Sequence, residues 1–217
     1  MNNIPQVYTA QPQTKRELYV LIEAEIRHSG NKCNLNHIDV SLITDLSSLF
    51  HSSKFNGDIS KWDVSSVTDM KWMFFESNFN GDMSKWDASN VKDMQCMFFN
   101  SQFNGDIAAW NVSRAFDMSS MFACSDFNGD ISKWDVSSAV DMRLMFQGSK
   151  FNGDVSGWNR FSVIDDGEMF LDSGVTKSLG TRIPSFDQVK SHFLNLKLGV
   201  ILQSTESRQG GPGKVRL

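Results

Sequence analysis

Carboxylates recur along this chain at a fixed distance, and such series are the first candidates for chemistry. Asp58, Asp82, Asp106, Asp130 and Asp154 stand 24 residues apart. Asp39, Asp63, Asp87 and Asp135 form a second series, with Asn111 and Asn159 in the same slots. Stacked carboxylates can chelate calcium, which takes about six to eight oxygens. No loop here packs ligands at the short spacing of an EF-hand or a calcium-binding nonapeptide repeat. Turn chemistry and Asp–Lys ladders on a sheet face are therefore the expected roles, and no metal ligand is assigned. His28, His37, His51 and His192 are scattered, and His37 fills a slot that holds Lys61 one repeat later. Cys33, Cys96 and Cys124 contain no C-x-x-C pair and read as thiols in a reducing compartment.

Nucleophile and phosphate motifs are missing as well. The chain has no His-Glu-x-x-His, no Gly-x-Ser-x-Gly and no phosphate loop. Each repeated serine reads as a cap or a turn residue. A catalytic site normally breaks a repeat with a unique insertion, and the repeats contain none. The expectation is a protein that is not an enzyme, with no catalytic residue and no cofactor.

These residues sit in a repeating unit. Phe-Asn-Gly-Asp begins at Phe55, Phe79, Phe103, Phe127 and Phe151, always 24 residues apart. Trp62, Trp86, Trp110, Trp134 and Trp158 keep that step, as do Met73-Phe74, Met97-Phe98, Met121-Phe122, Met145-Phe146 and Met169-Phe170. A degenerate copy precedes them at Ile38-Asp39-Val40, Asp45-Leu46 and Leu49-Phe50. Each unit reads as one coil of a stacked array. Asn56-Gly57-Asp58 is expected to turn, with glycine supplying a positive φ. Ile59 to Val64 reads as a short strand with Trp62 and Val64 inward. Ser65 and Ser66 read as helix N-caps, and Val67, Met70, Met73 and Phe74 give the apolar stripe of a short helix or 3₁₀ segment. No coil can bury that face alone, so neighbours ~4.8 Å apart must cover it.

The predicted fold class is thus an α/β repeat. It is a solenoid of leucine-rich-repeat type with about six 24-residue coils, over residues 31–174. Thr14 to Glu17 fits a capping box, and Leu18, Leu21, Ile22 and Ile26 share a helical face, so a helix over 15–28 caps the first coil within a segment 14–30. Ser185 before Phe186, Val189, Phe193 and Leu196 predicts a second capping helix over 185–198, interrupted at Gly199, within a segment 175–203. Residues 1–13 and 204–217 are expected to be flexible.

The repeat F-N-G-D-I-S-K-W-D-V-S-S-V-T-D-M-K-W-M-F resembles that of the BspA-like leucine-rich-repeat proteins, a bacterial surface-protein family. The likeness covers about residues 33–174. It implies a right-handed leucine-rich-repeat solenoid. It also implies kinship with secreted or surface-anchored proteins implicated in adhesion to host matrix and cells.

Composition bounds the partner. The chain has 217 residues, 40% hydrophobic and 21% charged, with a net charge of −4. That balance disfavours nucleic acid, which calls for a basic face. No apolar run approaches the ~20 residues that span a bilayer. Met1 to Pro5 lacks the build of a secretory signal, so the default expectation is cytoplasmic.

What remains is a protein partner. Outward positions that vary between coils are the candidates: Ala109 and Asn111, which interrupt the Lys and Asp series; Phe116, where other copies carry Thr68, Lys92 or Val140; and Trp72, Phe75 and Phe99, where others carry Ser120, Ala123 or Gln147. Ala109 and Asn111 fit two accounts. They relieve like-charge repulsion of about 1 kcal/mol, or they form a weakly charged contact core. The large apolar groups mark a contact surface or fill gaps between coils. The leading expectation is a non-enzymatic protein-interaction module. An adhesin or effector exported by a non-Sec route is the alternative, and a metal-dependent or enzymatic protein ranks last.

Overall fold

A computed structural model describes residues 8–209, with side chains described through 203. The chain is a stack of 24-residue coils, each joined to the next by parallel bridges: Asp45 to Asp69, Asp69 to Asp93, Asp93 to Asp117, Asp117 to Asp141 and Asp141 to Asp165. Among the described residues helices lie only at the ends, as α1 (Lys15–Ser29), α2 (Thr176–Leu179) and α3 (Phe186–Gln209).

Within a coil, carboxylates turn the chain. Asp58 Oδ1 accepts from the Ser60 amide at 2.9 Å, Asp63 Oδ1 from the Ser65 amide at 3.0 Å, and Asp69 Oδ1 from the Lys71 amide at 2.9 Å. Each Asx turn bends the backbone, so the segment 59–64 is a succession of turns rather than the expected strand. Ser65 caps no helix; its hydroxyl donates back to Asp63 at 2.6 Å.

The apolar stripe of residues 67–74 does not form a helix either. Met70, Trp72, Phe74 and Glu76 donate their amides to Asp93, Gln95, Met97 and Phe99 of the next coil, at 2.8–2.9 Å. The intervening amides of Met73, Phe75 and Ser77 close i→i+3 turns. Every amide from Met70 to Ser77 is thereby satisfied, half along the stack and half within the coil. Spacing explains the choice. Phe74 and Phe98 stack with centroids 5.6 Å apart, and Phe50 and Phe74 at 5.5 Å. Bridged coils lie about 4.8 Å apart, whereas packed helices need axes about 8–10 Å apart, so side-by-side helices would break the bridges. The chain instead enters the left-handed region twice per coil, as at Trp72 (φ 58°) and Glu76 (φ 53°).

The core is a slab of aromatic rings with methionine. Phe50, Phe74, Phe98, Phe122 and Phe146 stack in one column, and Phe55, Phe79, Phe103, Phe127 and Phe151 in a second beside it. Trp62, Trp86 and Trp110 stack at 6.3 and 6.4 Å. Each indole donates to a carbonyl of the preceding coil, Trp86 Nε1 to Ile59 at 3.1 Å and Trp110 Nε1 to Met83 at 2.9 Å. Asparagines form a further ladder, in which Asn56 Oδ1 accepts from the Asn80 amide at 2.9 Å and Asn80 Oδ1 from Asn104 at 2.8 Å. The glycine between Phe-Asn and Asp has a steric role and no positive φ, contrary to expectation. Among the described glycines only Gly30, Gly148 and Gly180 have positive φ. A Cβ at Gly81 would meet the Phe79 ring at 2.7 Å, because that ring folds back beneath the turn.

Both ends are capped. Thr14 Oγ1 accepts from the Glu17 amide at 3.2 Å while Glu17 Oε2 accepts from the Gln13 amide at 2.7 Å, and α1 buries Leu18 and Ile22 against the first coil. Residues 9–10 pair with that coil as well, Thr9 donating to the His37 carbonyl at 2.9 Å and Asp39 to that of Ala10 at 2.8 Å. The expected flexible stretch 1–13 is therefore docked from residue 9; residues 1–7 lie outside the described residues. At the other end Ser185 and Gln188 close a reciprocal capping box, and Phe186 and Val189 are buried. Lys197 Nζ reaches Asp154 at 2.7 Å and Ser156 at 2.8 Å. Gly199 does not interrupt α3, which continues to Gln209. A single glycine costs only about 1 kcal/mol in a helix, and Lys197, Leu198 and Leu202 nearby are good helix formers. The expected flexible tail 204–217 is thus helical to 209, and 210–217 lie outside the described residues.

Candidate interaction surface

The repeated aspartates are occupied with the backbone. Hydrogen bonds from the Ser84 and Ser132 amides hold the Asp82 and Asp130 carboxyls below their ordinary range. Asp93 moves the other way, raised by desolvation and then by the carboxylates of Asp117 and Asp69 on either side. The expected pairing of Lys61, Lys85 and Lys133 with Asp63, Asp87 and Asp135 is not formed within 4 Å among the described residues. Those lysines act on the other series: Lys85 lowers Asp82, and Lys133 lowers Asp130. The second series is engaged by serine instead, as Asp63 is by Ser65. Among the described residues no three His, Cys, Asp or Glu side chains converge as a metal requires.

The six candidate contact residues fall into five columns, with Phe75 and Phe99 sharing one. Asn111 Oδ1 accepts from the Ser113 amide at 3.1 Å, the same bond that Asp87 and Asp135 make. It keeps the turn and drops the charge. Ala109 leaves a dent of about 220 Å³ lined by Ala108, Ala109, Asp130 and Lys133. Phe116 is half exposed in the column that runs from Thr44 to Ile164.

Trp72, Phe75 and Phe99 are brought together on one ridge. His51, Phe75 and Phe99 stack face to face with centroids 4.8 Å apart at each step. Trp72 lies beside them, 40% exposed, with Lys71 Nζ 5.4 Å from its ring centroid. His51 was not among the expected contacts; its place in the 51, 75, 99 column was the signal that could have found it. Leu42, Phe161 and Ile164 were also passed over, and all three are exposed at the ends of the stack.

A family model described as "Mycoplasma protein of unknown function, DUF285" matches residues 23–125 and again 99–183. The chain belongs to this family. The two overlapping matches cover the whole repeated region and α1's C-terminal half, so the family unit is a repeated one. No curated protein and no solved structure matches the chain. No described helix is long and apolar enough to cross a membrane.

Proposed function

We propose that this member of the family is a non-enzymatic protein-interaction module, built as a leucine-rich-repeat-type solenoid of the BspA-like kind. The observation that carries the reading is the ridge of His51, Phe75 and Phe99 with Trp72 beside it. Inward positions repeat nearly unchanged, whereas this outward column varies from coil to coil. Exposed Trp72 and His51, with the half-buried Phe75 and Phe99 between coils, present aromatic groups on a rigid scaffold, and such groups anchor protein partners.

The test compares wild type with Trp72→Ala/Phe99→Ala in affinity capture from cells that make the protein. A protein retained by wild type and lost by the variant, with the variant's melting within a few degrees, supports the reading. Identical captured sets from the two overturn it for this ridge.

A further inference from the structure

We propose that copies of this chain associate head to tail, the first coil of one copy docking on the last coil of the next. This goes beyond the partner surface above and uses a different part of the molecule.

Inside the stack, the junctions between coils share one bond. Thr68 donates to the Thr44 carbonyl, Lys92 to Thr68, Phe116 to Lys92, Val140 to Phe116 and Ile164 to Val140, at 2.8–2.9 Å. The series is open at both ends: among the described residues the Ile164 carbonyl accepts no hydrogen bond, and the Thr44 amide donates none. The amide of Asp166 and the carbonyl of Asp45 are likewise without backbone partners there, although the same positions pair at the internal junctions, as Met70 does with Asp93. The last coil therefore ends in the same donor and acceptor order that the first coil complements.

Side chains at this corner change in the same sense. The column through position 41 is serine at Ser41, Ser65, Ser89, Ser113 and Ser137, and becomes Phe161 only in the last coil, 97% exposed. The column through 42 begins with Leu42, 51% exposed, and continues as Ser66, Asn90, Arg114, Ser138 and Ser162. Ile164 is 85% exposed. Apolar groups thus replace polar ones at the terminal coils alone in two adjacent columns, Leu42 on one end and Phe161 on the other. Neither cap covers them. Two unlike, complementary ends make a heterologous contact, which propagates instead of closing as a two-fold dimer does.

Sedimentation velocity of the full chain over a concentration series, with Leu42→Glu and Ile164→Glu, tests this. Wild type should grow beyond a dimer as concentration rises. Each variant keeps one working end, so each alone should be monomeric, and an equal mixture should form a dimer and stop. A monomeric wild type overturns the proposal. So does association that survives both substitutions, which would place the contact elsewhere, such as the exposed Leu194, Leu196 and Leu198 of α3. A mixture that stays monomeric while wild type associates overturns it too. Should a glutamate variant fail to fold, Leu42→Ser and Ile164→Thr repeat the test with residues the other coils carry at those positions.

Discussion

Trp110 does two jobs. Its ring stacks on Trp86 at 6.4 Å, and its indole nitrogen donates to the Met83 carbonyl at 2.9 Å. Trp110→Ala should cost about 3–5 kcal/mol, the range for a buried large aromatic. Trp110→Phe keeps much of the stacking but removes one of two hydrogen bonds to the Met83 carbonyl, which still accepts from the Trp86 amide at 3.1 Å, so it costs about 0.5–1.5 kcal/mol. Denaturant melts should order the three proteins with Phe between wild type and Ala. If Phe melts with wild type, the indole bond contributes nothing.

Trp72 should behave in the opposite way. Left-handed backbone costs an ordinary residue about 1–2 kcal/mol, and Trp72 sits there at φ 58°. Trp72→Gly should therefore raise the melting temperature while it weakens any partner held by the aromatic ridge. A lowered melting temperature would mean that the contacts of the Trp72 ring with Lys71 and Cys96 outweigh the strain.

Aspartates set the acid limit. The folded values of Asp82 and Asp130 lie below the ordinary 3.8. The stability they contribute is present above that value and is lost as pH falls through the lower, folded ones. Asp93 has the reverse sign. Its folded value lies above 3.8, so its charge opposes folding at neutral pH, and that penalty vanishes as pH falls through the folded value. Asp93→Asn keeps an oxygen for the Gln95 amide, as Asn111 does for Ser113. It should melt higher than wild type at neutral pH, with the gap closing in acid. A gap unchanged by pH would remove the electrostatic explanation.

At the scale of elements, the coil is interchangeable with its neighbours. Deleting residues 103–126 joins Gln102 to Phe127, and a Gln-Phe step is what Gln102 makes already with Phe103. The stack re-forms the same junction one coil shorter, so this deletion should be milder in a denaturant melt than Trp110→Ala. A deletion more damaging than the point substitution would show that the coils are not equivalent.

The step of 24 residues and the inward Phe, Met and Trp columns were legible because identical residues must fall at identical places in every coil. The backbone path was not. Apolar residues at 67, 70, 73 and 74 have helical spacing, but a chain that alternates turns with left-handed residues places the same side chains inward. Only the closeness of neighbouring coils, a property of the stack, separates the two. Glycine misled for a related reason: Gly81 is required by the ring of Phe79 two residues back, which no local turn pattern encodes. For the candidate surface, Trp72, Phe75 and Phe99 could be picked out as large residues in variable slots. His51 could be reached only through its place 24 residues before Phe75, because a histidine carries a weaker apolar signal than the phenylalanines of its column.

At the scale of the whole molecule, the bonds that join coils run along the stack. Met70, Trp72, Phe74 and Glu76 hold the next coil, and the corresponding residues of that coil hold the one after. Such bonds lie parallel to a force applied between the two ends and would open one junction at a time, like a zipper, instead of shearing together. Each released coil frees 24 residues, roughly 80 Å of extended chain at about 3.3–3.6 Å per residue. Pulled from its termini, the protein would lengthen in near-equal steps at low force, an extensible tether whose increments are set by its repeat.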